Sequence, residues 1–423
     1  MNIENQAVAA QDPSCDFDPK SITADEAIRR ILELVTPVTQ IESIALRMAL
    51  GRVTARDVLS RVQVPNHTNS AMDGYALRGT DLSDKACKTF SIVGESFAGK
   101  PCDRAIEPGQ CARIMTGAVM PEGADTVITQ ERVERVGDGI TVKPGEKPGS
   151  NVRQAGEDLE VGDVAISSGT RIGPAHLGLA ASLGFSELPC YRKPRVAFFS
   201  NGDELRSVGE SLETGELFDS NRYTLFGMLT EAGVEIVDLG IVRDDQAQIA
   251  RAFAEASSCS DIVITSAGAS VGDADYIKQT LDEMGEVSFW KVAIKPGRPL
   301  AFGKIEQSLF FGLPGNPVSV MVTFQIFVRE AIRKLSGELD AAPLKMMVPL
   351  TSKLKKRAGR VEYQRGVLST TAEGLTVVNT TGQQGSGILH SMSVANCFIV
   401  LPAESDGASP GELVEVQPFS QKL

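Results

Sequence analysis

Three observations predict a multidomain α/β protein. At 423 residues the chain is too long for one ordinary domain, and its 42% apolar content is enough for real cores, so three or four domains are expected. From Pro194 onward, short apolar runs alternate with helix-like segments, the pattern of βαβ units around a parallel sheet. Residues 77–155 and the chain beyond Pro343 instead carry short strand-like runs between turn signals, which predicts β-rich domains.

Residues 1–20 are polar and aperiodic. A helix is expected from Thr23, whose hydroxyl and Glu26 form a capping box; Ile28, Ile31, Leu32 and Val35 are its apolar stripe, and Pro37 ends it. Strand-like pieces fill Gly51–Pro65, and Asp73 sits in Ser70-Ala-Met-Asp-Gly-Tyr75, where Asp-Gly by itself means a turn. Runs such as Thr126–Thr129 and Gly139–Val142 read as a small β-barrel-like insertion. The chain then returns to its first domain near Gly156, with a short buried helix over Pro174–Ala181 in which His176 is a core or capping residue. The expected boundaries are 18–58 with 157–192 for an elongated split domain, 59–156 for the insertion, 193–341 for the α/β domain and 342–423 for a C-terminal β-domain.

Within the α/β region, Arg195–Phe199, Val234–Leu239 and Asp261–Thr265 read as buried strands. Helices are expected over Ser220–Glu231, Gln246–Ala256, Tyr276–Met284 and Pro317–Leu335. Loops rich in Gly, Ser and Pro follow the strands, at the edge where open α/β sheets bind ligands. Small residues there let backbone amides approach anionic oxygen. Glu204, Asp244 and Asp273/Asp275 fall in three successive loops of this kind; each alone is an ordinary N-cap, but together they can hold a hard cation. Lys291, Lys295 and Arg298 form the local cationic cluster, the last two bracketed by prolines in Lys295-Pro-Gly-Arg-Pro299. In the last domain, Met347–Leu350, Thr376–Asn379, Cys397–Leu401 and Glu412–Val416 alternate as strands. The basic run Lys353–Arg360 reads as a solvated face, whereas Arg365 and the Gly382–Gly387 loop can reach over a ligand.

A formal charge of −12 and a pI near 5.0 argue against nucleic acid or an anionic membrane as partner, so an anionic ligand needs a local positive site. Seven scattered cysteines without a CxxC pair suit a reducing cytoplasm, and three histidines far apart in sequence argue against a histidine-rich metal site. Neither a leader pattern nor an apolar run of membrane-spanning length is discernible. No P-loop pattern is present, which weakens an ATP-dependent kinase, and no Ser–His–Asp arrangement or cysteine nucleophile stands out.

The loop Ser266-Ala-Gly-Ala-Ser-Val-Gly-Asp-Ala-Asp-Tyr276, followed by Lys295–Pro299 and Gly312-Leu-Pro-Gly-Asn-Pro-Val-Ser319, resembles the molybdopterin-binding domain of molybdenum-cofactor biosynthesis proteins. Asn69-Ser-Ala-Met-Asp-Gly-Tyr-Ala76 and Met115-Thr-Gly-Ala118 narrow the resemblance to the MoeA family, the molybdopterin molybdenumtransferases related to the gephyrin E domain, over the chain from about Ile22. It implies a Rossmann-like molybdopterin-binding domain and a homodimer built on the split domain. The implied substrates are adenylylated molybdopterin and molybdate, with insertion at the dithiolene sulfurs, release of AMP and a requirement for magnesium.

The same resemblance assigns Asp73 and Thr116 to the active site, supplied by the β-domain of this or a second subunit, and beside them Glu204, Asp244 and Asp275, read from their loops, are the catalytic candidates for holding or screening the magnesium. Substrate contacts are implied for Ser266, Gly268, Ser270 and Gly272, for Lys291, Lys295 and Arg298, for Pro314, Gly315, Asn316, Pro317 and Ser319, and for Arg365. Ala267 and Ala269 depart from the pattern, which calls for a further glycine beside Gly268. A molybdopterin adenylyltransferase and molybdoenzymes are the implied protein partners, while a tungsten-handling member and a gephyrin-like peptide-binding scaffold are the alternatives.

Overall fold

The computed structural model describes residues 18–267, 276–339 and 343–419. The chain forms two compact units, one of residues 43–50 and 54–190, the other of residues up to 42, 51–53 and from 191 onward.

The first unit contains a mixed six-stranded sheet. Its strands are β1 (Gly74–Leu77), β2 (Lys88–Ser96), β3 (Gln110–Ile114), β4 (Thr126–Thr129), β5 (Val133–Val136) and β6 (Gly139–Val142), in the order β4-β1-β3-β2-β6-β5. The pairing is that of an open sheet with β4 and β5 outermost, and the sequence pattern alone had suggested a barrel-like closure. Alternation along β1 sends Tyr75 and Leu77 into one apolar cluster with Phe90, Ile128 and Ile140, and Ala76 into another with Ile114 and Val127. Gly74 has a packing reason: a Cβ there would lie 2.1 Å from the Ile128 carbonyl oxygen. Elsewhere in this unit Val58, Ile166, Ile172 and Leu188 close a third cluster beside the Pro174–Ser182 helix. His176 there accepts from the Gly173 amide at 2.9 Å and so caps that helix.

The second unit is built on a sheet with helices on both faces. Strands β7 (Arg195–Asn201), β8 (Glu235–Val242), β9 (Ile262–Ser266), β10 (Gly285–Lys291), β12 (Pro299–Ile305) and β13 (Ser308–Leu313) take the order β8-β7-β9-β13-β12-β10. The pairs β8-β7, β7-β9 and β9-β13 are parallel, and the β12–β13 hairpin with β10 adds an antiparallel edge. Val196 and Phe198 point into one core, Ala197 and Phe199 into the other, so β7 reads as a continuous apolar run.

One face is covered by α1 (Ala24–Leu34), α2 (Ser220–Ala232), α5 (Pro317–Thr323) and α6 (Arg329–Leu335), the other by α3 (Gln246–Cys259) and α4 (Tyr276–Met284). In α1, Thr23 accepts from the Glu26 amide, and Ile31 and Val35 are buried in the larger core. The helix expected over Pro317–Leu335 is interrupted by a π-helical stretch, Phe324–Val328, between α5 and α6. Gly233, at φ +76°, ends α2.

The C-terminal sheet comprises β14 (Met346–Pro349), β15 (Val361–Thr370), β16 (Thr376–Thr380), β17 (Cys397–Leu401) and β18 (Leu413–Pro418). Its outermost strand, next to β15, is β11 (Ile294–Lys295), lent by the preceding domain and paired parallel with Ile294 opposite Val361 and Lys295 opposite Glu362. The ten-residue β15 escaped the sequence reading because Glu362, Gln364 and Arg365 interrupt its apolar pattern, yet all three are buried.

Candidate functional site

In the second unit β8 and β9 flank β7, so the chain reverses direction across the sheet beside β7, and the carboxyl ends of β7 and β9 mark the topological switch. Ser266 at the end of β9 donates to Ser200 Oγ near the end of β7 at 2.9 Å, and both side chains are buried. Ser266 therefore joins two strand ends. The next residue, Ala267, has φ +95°, a conformation that favours glycine. The backbone thus keeps the geometry for which a glycine was expected, and alanine bears the strain. Gly268, Ser270, Gly272, Asp273 and Asp275 lie outside the described residues.

A cavity of about 470 Å³ opens beside Ala267. One wall is Lys295-Pro-Gly-Arg-Pro299, another is Pro314, Gly315, Asn316 and Ser319, and a third is Arg360 with Gln384, Gly385 and Ser386. Six of the expected contacts, Lys295, Arg298, Pro314, Gly315, Asn316 and Ser319, are thereby brought together. Pro317 opens α5 without lining the cavity. Gly297, at φ +96°, permits the sharp turn between the cations, since a Cβ there would lie 2.6 Å from the Thr323 methyl group.

Each cation has a carboxylate partner. Lys295 Nζ is 2.5 Å from Glu362 Oε1; the lysine side chain is 48% exposed and the glutamate 7%. Arg298 pairs closely with Asp18, which also lies 3.8 Å from Lys291 Nζ. The Lys20 amide, helped by Arg298 and Lys291, holds the Asp18 carboxyl below its ordinary range. Arg298 Nε is buried and has no hydrogen-bond partner among the described residues. Lys291 is not part of the cavity wall.

Arg365 supports the wall from behind. It is 1% exposed, donates from Nε to Ser391 Oγ at 3.0 Å and from Nη2 to the Gly385 carbonyl at 3.0 Å, and its own amide donates to Gln384 Oε1 at 2.7 Å. Burial pushes its guanidinium down to about 10, so it remains charged at neutral pH. The Ser386 carbonyl in turn accepts from the Val318 amide at 3.1 Å, occupying one of the free donors at the start of α5. Arg365 does not line the cavity itself but holds the loop that does.

The acidic set is only partly assembled. Asp244 follows β8, and its amide donates to Asp203 Oδ1 at 3.3 Å. Glu204 folds its carboxylate over Gly202, within 2.5 Å of where a Cβ would stand. The capping role that could explain an acid at these strand ends falls to neighbours instead: Asp245 caps α3 and Asp219 caps α2. Among the described residues no three His, Cys, Asp or Glu are grouped to hold a metal ion. Of the three expected ligands, Glu204 and Asp244 are described and Asp275 is not.

In the first unit, Thr116 donates to Asp73 Oδ1 from both its amide and its hydroxyl, each at 2.7 Å. The β1–β3 register, with Gly74 opposite Ile114, brings the two loop residues together. The Thr116 amide, then its hydroxyl, holds the Asp73 carboxyl below the ordinary range.

Three family models match along the chain: "MoeA N-terminal region (domain I and II)" over residues 22–184, "Probable molybdopterin binding domain" over 198–334 and "MoeA C-terminal region (domain IV)" over 347–419. A molybdopterin molybdenumtransferase of Haemophilus influenzae is 44% identical over 404 residues, covering 95% of this chain and 100% of that one. The chain belongs to the MoeA family of molybdopterin molybdenumtransferases, which are transferases.

Gephyrin of Dictyostelium discoideum is a further relative, 32% identical over 92% of this chain and 61% of its own. A crystal structure of a molybdopterin biosynthesis moeA protein from Pyrococcus horikoshii OT3 superposes with a TM-score of 0.82 at 28% identity, over 95% of this chain and 100% of that one. MoeA-like multidomain architecture with α/β content is thereby established. Among residues not expected at the site, Gln384 and Ser386 fall in the Gly382–Gly387 loop already singled out, but Arg360 belonged to a run read as solvated. Glu362 had no sequence signal; only the β11–β15 register reveals it.

Proposed function

We propose that this MoeA-family chain joins molybdate to adenylylated molybdopterin at its dithiolene sulfurs and releases AMP with the finished cofactor. The observation that carries this reading is the cavity in which Lys295 and Arg298, fixed by a Pro-Gly turn, face the Pro314–Asn316 loop. Two close cations in a stiff loop bind an oxyanion, and small residues admit the rest of the ligand to the backbone. Lys295 and Arg298 take the oxyanion, Ser319 and Asn316 line its seat, and Arg365 holds the Gly385 wall. Catalysis then rests on positioning rather than on a covalent nucleophile.

Magnesium belongs to the proposal through Glu204, Asp244 and Asp275, and no step is routed through it. Incubation with adenylylated molybdopterin, molybdate and magnesium, assayed for AMP and active cofactor, tests the whole reading; no AMP above a protein-free control would end it. Removing magnesium with a chelator isolates the metal requirement, because undiminished AMP release would discard the metal alone. A homodimer is part of the same reading, and a sedimentation mass fixed at the monomer's 45.1 kDa at every concentration would discard it. A reducing compartment such as the cytoplasm suits the described cysteines, none of which forms a disulfide among the described residues.

A further inference from the structure

The two cations of the cavity differ in what neutralises them. Glu362, the partner of Lys295, is buried and held in β15 by strand register, so it cannot leave. Asp18, the partner of Arg298, is carried instead on a turn ahead of α1, whose middle residues Pro19 and Lys20 are exposed. There the Ser21 amide donates to the Asp18 carbonyl at 2.9 Å, with proline in the turn position that suits it. The Asp18 carboxylate also accepts from the Lys20 amide at 2.9 Å, a contact that travels with the turn. The far end of the turn is tied down. Ile22 bridges to Val292, donating to the Lys291 carbonyl at 2.9 Å and accepting from the Ala293 amide at 2.8 Å. From Asp18 to that tie the chain spans up to about 13 Å, so the carboxylate can swing clear of Arg298 while α1 stays docked.

The Asp18–Arg298 contact is also an incomplete form of arginine recognition. Among the described residues the carboxylate meets Nη2, while Nε is buried and has no hydrogen-bond partner. A forked contact with two donors is the stronger arrangement. An oxyanion in the cavity has Lys295 and Arg298 on one wall to meet, more than Asp18 engages there. Resting on the oxyanion-binding reading of this cavity, we propose that Asp18 is an internal competitor for Arg298: it occupies the guanidinium when the cavity holds no anion, and an incoming dianion displaces it. Apparent affinity is then the intrinsic affinity scaled by the fraction of molecules in which Asp18 has let go. The turn before α1 thereby sets the oxyanion concentration at which the cavity fills.

Asp18→Asn isolates this role, because asparagine suits the turn and its side-chain oxygen still accepts from the Lys20 amide, but the charge is gone. Calorimetric titration of the full chain with sodium molybdate, at fixed ionic strength, compares this variant with wild type. The variant should bind about three- to fivefold more tightly, the factor by which a partly exposed ion pair competes. Displacement itself is read in wild-type chain labelled with carbon-13 aspartate, the Asp18 signal being the one lost in Asp18→Asn. On saturation with molybdate that carboxyl carbon should move to the position it takes in anion-free Arg298→Gln. Molybdate binding by Asp18→Asn that is no tighter than wild type overturns the competitor. So does a carboxyl carbon that stays in place, since any gain in affinity would then be a general effect of charge. Where wild type binds molybdate and either arm fails, only the role of Asp18 falls; if neither protein binds molybdate, the oxyanion reading of the cavity falls with it.

Discussion

Lys295 and Glu362 stand opposite each other in the β11–β15 register, and their charged ends are 2.5 Å apart although only the lysine reaches solvent. The pair is therefore asymmetric. An exposed lysine charge contributes little by itself, about 0–1 kcal/mol, but removing it abandons a buried carboxylate whose remaining hydrogen bond among the described residues is from Gln364 Nε2 at 3.0 Å.

Lys295→Gln should therefore lower unfolding stability by about 1–3 kcal/mol, the cost of an undercompensated buried polar group. Glu362→Gln should cost less, and the double variant should recover part of the loss. Urea denaturation of the four proteins in a double-mutant cycle measures this. Strict additivity would show the ion pair to be energetically irrelevant.

Replacing Arg365 tests the wall from behind. Alanine should cost about 2–4 kcal/mol through lost packing and charge-assisted hydrogen bonds. Lysine keeps the charge but cannot reach Ser391 and Gly385 together, so it should weaken anion binding with a smaller stability loss. If Arg365→Lys binds molybdate as wild type does, the loop does not depend on this anchor.

Ala267→Gly should be one of the few core-adjacent changes that stabilise. At φ +95° an alanine is strained, and glycine relieves more than it adds in unfolded-chain entropy, a net gain of about 1 kcal/mol. A melting temperature below that of wild type would contradict the strain.

Asp73 should titrate below the usual carboxylate value of about 3.9. A depressed folded pKa means that its contribution is fully present above the unfolded value and is lost as pH falls through the folded one. Thr116→Val removes the hydroxyl donor but keeps the amide, so the Asp73 pKa should rise only part of the way. NMR titration of the carboxyl carbon follows this directly, and an unchanged value would assign the whole effect to the amide.

The sequence was most legible where one interaction dominates. Apolar runs covered on both faces announced β7 and β9, and Tyr276–Met284 matches its helix to the residue. It was least legible where polar groups are buried in compensated networks. Glu362, Gln364 and Arg365 look like surface residues until their partners Lys295, Lys355, Ser391 and Gly385 arrive from elsewhere in the chain. The cations of the Lys295–Pro299 loop were found from spacing, but their carboxylate partners were not, because pairing over long sequence separation leaves no local trace.

The loan of Ile294–Lys295 to the C-terminal sheet makes that last module inseparable from the one before it. A chain ending near residue 341 would leave two backbone partners of β15 unmatched and the Lys295 ammonium without its counter-charge. Exchange of C-terminal modules between relatives should therefore succeed only when the Lys295–Pro299 loop travels with them, a rule of inheritance written into two residues of backbone pairing.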